Sequence, residues 1–149
     1  MKGLTGSEGT TISVEYPGDS ASKFIAIYGF EEFFENLPDN LERFDFVKSN
    51  RRYGRGDEDN TVSVELPPSI GRFTKLHSLH LEGIVDRLPK EIGKLKELVF
   101  LSLPNNPNLN ELPKEVATLD SLQVINLKNS GGVKLDDSIE NKKDLLILR

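Results

Sequence analysis

His77 and His80 are the only histidines of this 149-residue chain, and two neighbouring imidazoles could begin a zinc site. A third ligand of Cys or His is missing, and on a strand two residues three apart point to opposite faces. A weak surface pair between His80 and Glu82, worth at most about 1 kcal/mol, is the better reading. Asp57, Glu58, Asp59 and Asn60 look like the opening of a calcium loop. Counted from Asp57, however, position six is Val62 where a Gly is required and position twelve is Pro68 where a Glu is required. Arg55, Gly56 and Asp57 match an integrin-recognition tripeptide, but three residues recur by chance. Nucleophilic chemistry fares no better. The chain has no Cys, no Gly-x-Ser-x-Gly turn, and no phosphate-cradling Gly-rich loop before a Lys. The expectation is a protein that is not an enzyme, with no metal and no cofactor.

Stronger than any of these is a pattern of leucines. Leu66-Pro67 leads to Ile70, Phe73 and Leu76; Leu88-Pro89 to Ile92, Leu95 and Leu98; Leu112-Pro113 to Val116, Leu119 and Leu122. The units open at Leu76, Leu98, Leu122 and Leu145, so the first two periods are 22 and 24 residues. Self-similarity at this period marks a solenoid. The two extra residues fall among Pro104 to Asn110, where Pro and Asn make a loop insertion cheap.

Within a unit, Leu79 and Leu81 alternate inward on a short strand. Ile92 and Leu95, three apart, share the inner face of one helical turn. Ile84, Asn106 and Ser130 occupy one further slot in three successive units. Pro89 and Pro113 suit the first turn of a helix or an extended approach to one, and Gly71 and Gly93 permit a tight 3₁₀ segment. A single unit cannot bury both faces, so neighbours must stack, each buried Leu contributing roughly 1.5 to 3 kcal/mol. The last helical half is weaker, because Lys142 stands where Leu95 and Leu119 stood.

The form Leu-Pro-x-x-Ile-x-x-Leu-x-x-Leu-x-x-Leu-x-Leu resembles the leucine-rich repeat family, of the intracellular Ras-group type. It covers residues 66 to 149 firmly and 24 to 65 loosely. The resemblance implies an α/β leucine-rich repeat solenoid: a short right-handed coil with parallel strands on the concave face and short helices or 3₁₀ turns on the convex face. Three regions follow. Residues 1–23 form an N-terminal capping strand, 24–65 form degenerate repeats with a charged hairpin insertion, and 66–149 form regular repeats with the last one truncated.

The capping strand rests on the polar/apolar alternation of residues 10 to 16 before Pro17-Gly18. In the second region Ile25, Tyr28 and Phe30 are expected in strand slots, because Phe30 to Leu37 spans 7 residues, as does Leu81 to Leu88. Residues 45 to 65 break register. Either Val47 opens the next strand, or Phe44-Asp45-Phe46 is that strand. The charged stretch from Arg51 to Asn60 is an insertion, and residues 61 to 65 return as its second strand.

In this family, residues flanking the inward leucines form the concave face, where partners usually bind. Carried across, these are Ser78, His80 and Glu82; Phe100, Ser102 and Pro104; Val124, Asn126 and Lys128; Ile147 and Arg149; and, on the first strand, Ile27, Gly29 and Glu31. Phe100, Val124 and Ile147 recur at one slot and should stack as an apolar ridge, covered either by a partner or by the chain's own terminus. The expected function is a protein-protein interaction module. The alternative is a structural subunit docking end-on, through self-association or in a larger assembly, by way of its last repeat.

Composition sets the boundaries. With 36% hydrophobic and 29% charged residues, no run approaches a membrane span, so no membrane partner is expected. Residues 1 to 65 carry 7 basic and 13 acidic side chains, and 66 to 149 carry 12 and 11. Neither half has the basic stripe that nucleic acid would need. The absence of Cys, of an Asn-x-Ser/Thr sequon and of an apolar run after Lys2 points to a cytoplasmic or otherwise intracellular setting, a virion interior included.

Overall fold

The computed structural model describes residues 10–16, 25, 29–48 and 63–149. Its frame is a six-stranded, wholly parallel sheet in which β1 (Thr10–Tyr16), β2 (Leu41–Lys48), β4 (Ser78–Glu82), β6 (Phe100–Ser102), β7 (Val124–Asn126) and β8 (Leu146–Leu148) lie side by side in chain order. Opposite the sheet runs a row of short helices: α1 (Phe30–Glu35), three 3₁₀ helices (Pro68–Arg72, Lys90–Lys94, Lys114–Thr118) and α2 (Asp137–Glu140). Between the two layers lies one apolar core, filled by the repeated Leu and Ile positions and, at the β2 end, by phenylalanines.

Each 3₁₀ helix begins after a proline that is held extended. The N–H of Ile70, Ile92 and Val116 donates to the carbonyl of Pro67, Pro89 and Pro113, each at 3.1 Å. A 3₁₀ turn rises steeply and exposes few unsatisfied groups, so one turn suffices to bring an Ile or Val and the next Leu inward. Gly93 is required by the stacking of these turns. A Cβ there would come within 2.9 Å of Glu115 Cβ. In the last unit Lys142, half-buried in leucine's place, donates from its amine to the Ala117 carbonyl at 3.0 Å.

Parallel pairing fixes the faces. Ile12, Phe44, Leu79, Leu101, Ile125 and Ile147 are successive partners across the sheet and all point inward. Of the two strands left open for residues 44 to 47, Phe44-Asp45-Phe46 is the one that forms, inside β2. Residues 51 to 60, with the charged insertion, lie outside the described residues.

Three expectations are corrected here. First, Ile25 and Phe30 are helical. Gly29, at φ 83°, donates its N–H to Ile25 O at 2.7 Å and then leads directly into α1, a backbone turn that only glycine makes without strain. Phe30, Phe33, Phe34 and Leu37 are buried at the i, i+3, i+4, i+7 spacing of a helical face. Tyr28 lies outside the described residues. Second, the described part of the expected return strand, Val64–Glu65 (β3), pairs in parallel with Val85–Arg87 (β5) of the next unit, whereas the stretch it was expected to pair back on lies outside the described residues.

Third, the last unit is one residue shorter than its leucines suggest. Ile147, not Leu148, pairs with Ile125, and Leu146 takes the outward slot. Only one residue separates Leu145 from Ile147, and simple strand alternation then turns both toward the core. Asp144, at φ 65°, makes the tight entry. Ile147→Ala should therefore cost about 1 to 2 kcal/mol in a urea unfolding curve, whereas Leu146→Ala should stay within about 0.5 kcal/mol. Reversed costs would restore the longer register.

Helix α2 is capped by Asp136, whose carboxylate accepts from the Ser138 hydroxyl and, at 3.0 Å, from the Ser138 N–H. These two bonds, the hydroxyl's first, hold the Asp136 carboxyl below the usual carboxylate range, with Lys114 adding a smaller pull. A depressed native value means that the cap's contribution is complete above the ordinary Asp range and disappears as pH falls through the lowered value. Carbon-detected NMR titration should show this low midpoint, and Ser138→Ala should move it upward.

Candidate functional site

Because the strands are parallel and in register, outward side chains line up in rungs that cross the sheet. The first rung reads Thr11, Arg43, Ser78, Phe100, Val124 and Leu146. Its last three members are apolar neighbours. Phe100 is 47% exposed and Leu146 is 54% exposed, and they are the large hydrophobic side chains most open to solvent among the described residues. Val124 between them is half-buried.

The second rung is polar: Ser13, Asp45, His80, Ser102, Asn126 and then Leu148. Its groups are bonded mainly to one another. Asn126 Nδ2 donates to Ser102 Oγ at 3.2 Å, and Ser102 Oγ lies 2.9 Å from His80 Nδ1. His80 Nε2 is 3.3 Å from Glu82 Oε2, and Glu82 Oε1 accepts from Asn105 Nδ2 at 2.8 Å. His80 thus bridges Ser102 and Glu82 through its two ring nitrogens. At the other end Asp45 Oδ2 accepts from Arg43 Nε at 3.0 Å.

Between Arg43 and Phe100 the rung carries only Ser78. The missing bulk leaves a hollow of about 470 Å³, walled by Arg43, Val47 and Phe100 and floored by Asp45, Ser78, His80 and Ser102. The face thus combines an open notch and an apolar ridge on a largely bonded polar bed, in which Asp45 Oδ1 is buried without a hydrogen-bond partner among the described residues.

Of the residues expected on this face, Ser78, His80, Phe100, Ser102, Val124 and Asn126 do come together on the two rungs. Glu82 ends β4, bonded to His80 and Asn105. Lys128 lies just past β7, exposed, with its N–H on Asn126 Oδ1 at 3.1 Å. Ile147 is turned inward, as described, and Leu146 takes its place. Pro104 is buried. Arg149 donates to Val133 O and Glu140 Oε1, both at 3.1 Å, and so folds over the end of the stack instead of joining the ridge. Gly29 and Glu31 belong to the entry and first turn of α1, where Glu31 accepts from Ser69; Ile27 lies outside the described residues.

Sequence reasoning missed Arg43 and Asp45. Their signal was the alternation Arg43-Phe44-Asp45-Phe46, which places two charges on the face opposite two phenylalanines. Among the described residues, no group of three or more His, Cys, Asp or Glu could hold a metal ion, and no helix is long and apolar enough to cross a membrane.

No protein-family model and no curated protein matches the chain. Among solved structures it is similar to a leucine-rich repeat protein of Leptospira interrogans, at 22% identity and a TM-score of 0.29, over 80% of this chain and 44% of that one. The chain thus spans less than half the length of that protein. Its own geometry, a mixed α/β architecture with one in-register parallel sheet backed by a row of short helices at the leucine period, is leucine-rich-repeat-like.

Proposed function

We propose that the chain is a protein-binding module that takes its partner on the outward sheet face, the concave side of a short leucine-rich repeat solenoid of the Ras-group type. The observation that carries this reading is the ridge of Phe100, Val124 and Leu146, three apolar side chains on adjacent strands, the outer two exposed and the middle one half-buried. An isolated exposed apolar residue needs no explanation, whereas a contiguous set beside a notch marks a contact surface. In this reading β1 caps the first repeat, and the setting is intracellular. The partner is a protein and not nucleic acid or a membrane.

Binding is preferred to catalysis because two amides beside Ser102, the residue paired with His80, are already bonded and so do not offer an oxyanion hole. The N–H of Phe100 is on His77 O at 3.1 Å, and that of Leu103 is on Asn126 O at 2.7 Å. The test is affinity capture from native lysate with the wild-type chain and with Phe100→Glu and Val124→Glu, quantified by mass spectrometry. Specific partners should be lost from both variants while their circular dichroism and melting match wild type; retained capture would refute the reading.

A second reading is favoured by β8, an edge strand of the sheet among the described residues that carries the exposed Leu146. Edge strands offer unpaired backbone groups to other chains. End-on docking of this kind predicts self-association in concentration-dependent light scattering. A strictly monomeric protein at high concentration argues against it.

A further inference from the structure

The spacing of the first rung selects the shape of what lies on it. Neighbouring strands are about 4.8 Å apart, so Phe100, Val124 and Leu146 present side chains at about 0, 4.8 and 9.6 Å along the stacking direction. An α-helix lying across the strands offers residues i, i+3 and i+7 at about 0, 4.5 and 10.5 Å, a match to within about 1 Å. An extended peptide laid the same way offers same-face side chains roughly every 6.7 Å. Its third contact would fall almost a full rung out of place.

The rung continues in the other direction with the same fit. Ser78 and Arg43 stand one and two strands before Phe100. The helical positions i−4 and i−7 fall about 6 and 10.5 Å back, over the hollow and over Arg43. Arg43 is bonded to Asp45 through Nε alone; its terminal nitrogens have no hydrogen-bond partner among the described residues, and its side chain is 57% exposed. They can donate to a carboxylate.

We propose that the partner docks an amphipathic α-helix across the strands, with a heptad stripe that places an acidic residue on Arg43, a bulky apolar residue in the hollow over Ser78, and three apolar residues on Phe100, Val124 and Leu146. The proposal rests on the sheet face being the binding surface and adds the class of ligand. Positions i−7, i−4, i, i+3 and i+7 form a single a/d stripe, so one regular helix meets all five rung positions without a kink.

Three labelled synthetic peptides of equal length and charged, soluble background test it by fluorescence anisotropy against the whole chain. The first carries Glu, Leu, Leu, Leu and Leu at the five stripe positions. The second has the same composition with its leucines at alternate positions, as a strand would need. The third is the first with its stripe Glu replaced by Lys.

The first should bind at least about tenfold tighter than the second, since misplacing even one apolar contact is worth that much. Phe100→Glu and Leu146→Glu should each weaken it about tenfold, with melting unchanged. The first should also be preferred over the third severalfold, a preference that Arg43→Gln removes. No binding of the first peptide, or equal binding of the first and third, would overturn the proposal. Tighter binding of the second, lost with Phe100→Glu, would overturn the helix while leaving the surface in place. Indifference of all bound peptides to Phe100→Glu would overturn both.

Discussion

Asn106→Ala is expected to destabilise the chain by about 3 kcal/mol or more in urea or guanidinium unfolding, the loss of a single amide notwithstanding. Asn106 is 1% exposed, and its side chain closes three backbone groups of the preceding unit. Its Oδ1 accepts from Ile84 N at 2.8 Å and Val85 N at 3.1 Å, and its Nδ2 donates to Leu81 O at 2.8 Å. All three residues are buried, so no water replaces the amide, and each orphaned group costs roughly 1 to 3 kcal/mol. The chain of bonds continues, since Ser130 Oγ accepts from Asn106 N at 3.0 Å and donates to Leu103 O at 2.6 Å. Ser130→Ala removes fewer bonds and should cost less, about 1 to 3 kcal/mol. Asn106→Asp should rescue little, because it trades the donor for a buried charge. A cost for Asn106→Ala near that of a surface substitution would mean that the chain turns without this amide.

Phe44→Ala should be as damaging, at about 3 to 5 kcal/mol. Phe44 is fully buried in β2, with the rings of Phe30, Phe33 and Phe34 at centroid distances of 6.1, 6.2 and 5.6 Å, all edge-on. These contacts join α1 to the sheet. Edge-to-face pairs contribute roughly 0.5 to 1.5 kcal/mol beyond burial, so Phe44→Leu, which keeps most of the apolar volume but not the ring geometry, should fall between alanine and wild type. Since β2 also carries Arg43 and Asp45, the alanine variant should blur the hollow as well. Amide exchange at Arg43 and Asp45 would rise in Phe44→Ala and stay at wild-type level in Ser130→Ala.

The regular units were legible because their leucines do one job at one pitch. Strand, 3₁₀ turn and the Ile84, Asn106 and Ser130 slot all follow from counting, although Asn106's role becomes visible only when Ile84, Val85 and Leu81 surround it. The amino-terminal half resisted because a spacing of seven fits two structures. Phe30 to Leu37 matches Leu81 to Leu88 as a repeat, yet Phe30, Phe33, Phe34 and Leu37 also fit a helical face, and burial of all four aligned residues favoured the helix. The candidate face was half legible. Ser78, His80, Phe100, Ser102, Val124 and Asn126 followed from inward leucines by alternation, but Arg43 and Asp45 needed the β2 register, and Leu146 needed the one-residue shortening that leucine counting passes over.

Phe100 and Leu101 are sequence neighbours on opposite faces of β6, one exposed and one buried. That contrast gives the most direct test. Partner capture and urea unfolding should be measured in parallel for Phe100→Glu and Leu101→Ala. Phe100→Glu should lose the partner with stability within about 0.5 kcal/mol of wild type, and Leu101→Ala should lose about 2 to 5 kcal/mol yet still capture the partner under conditions where it is folded. A Phe100→Glu chain that is fully stable and captures as well as wild type would contradict the account.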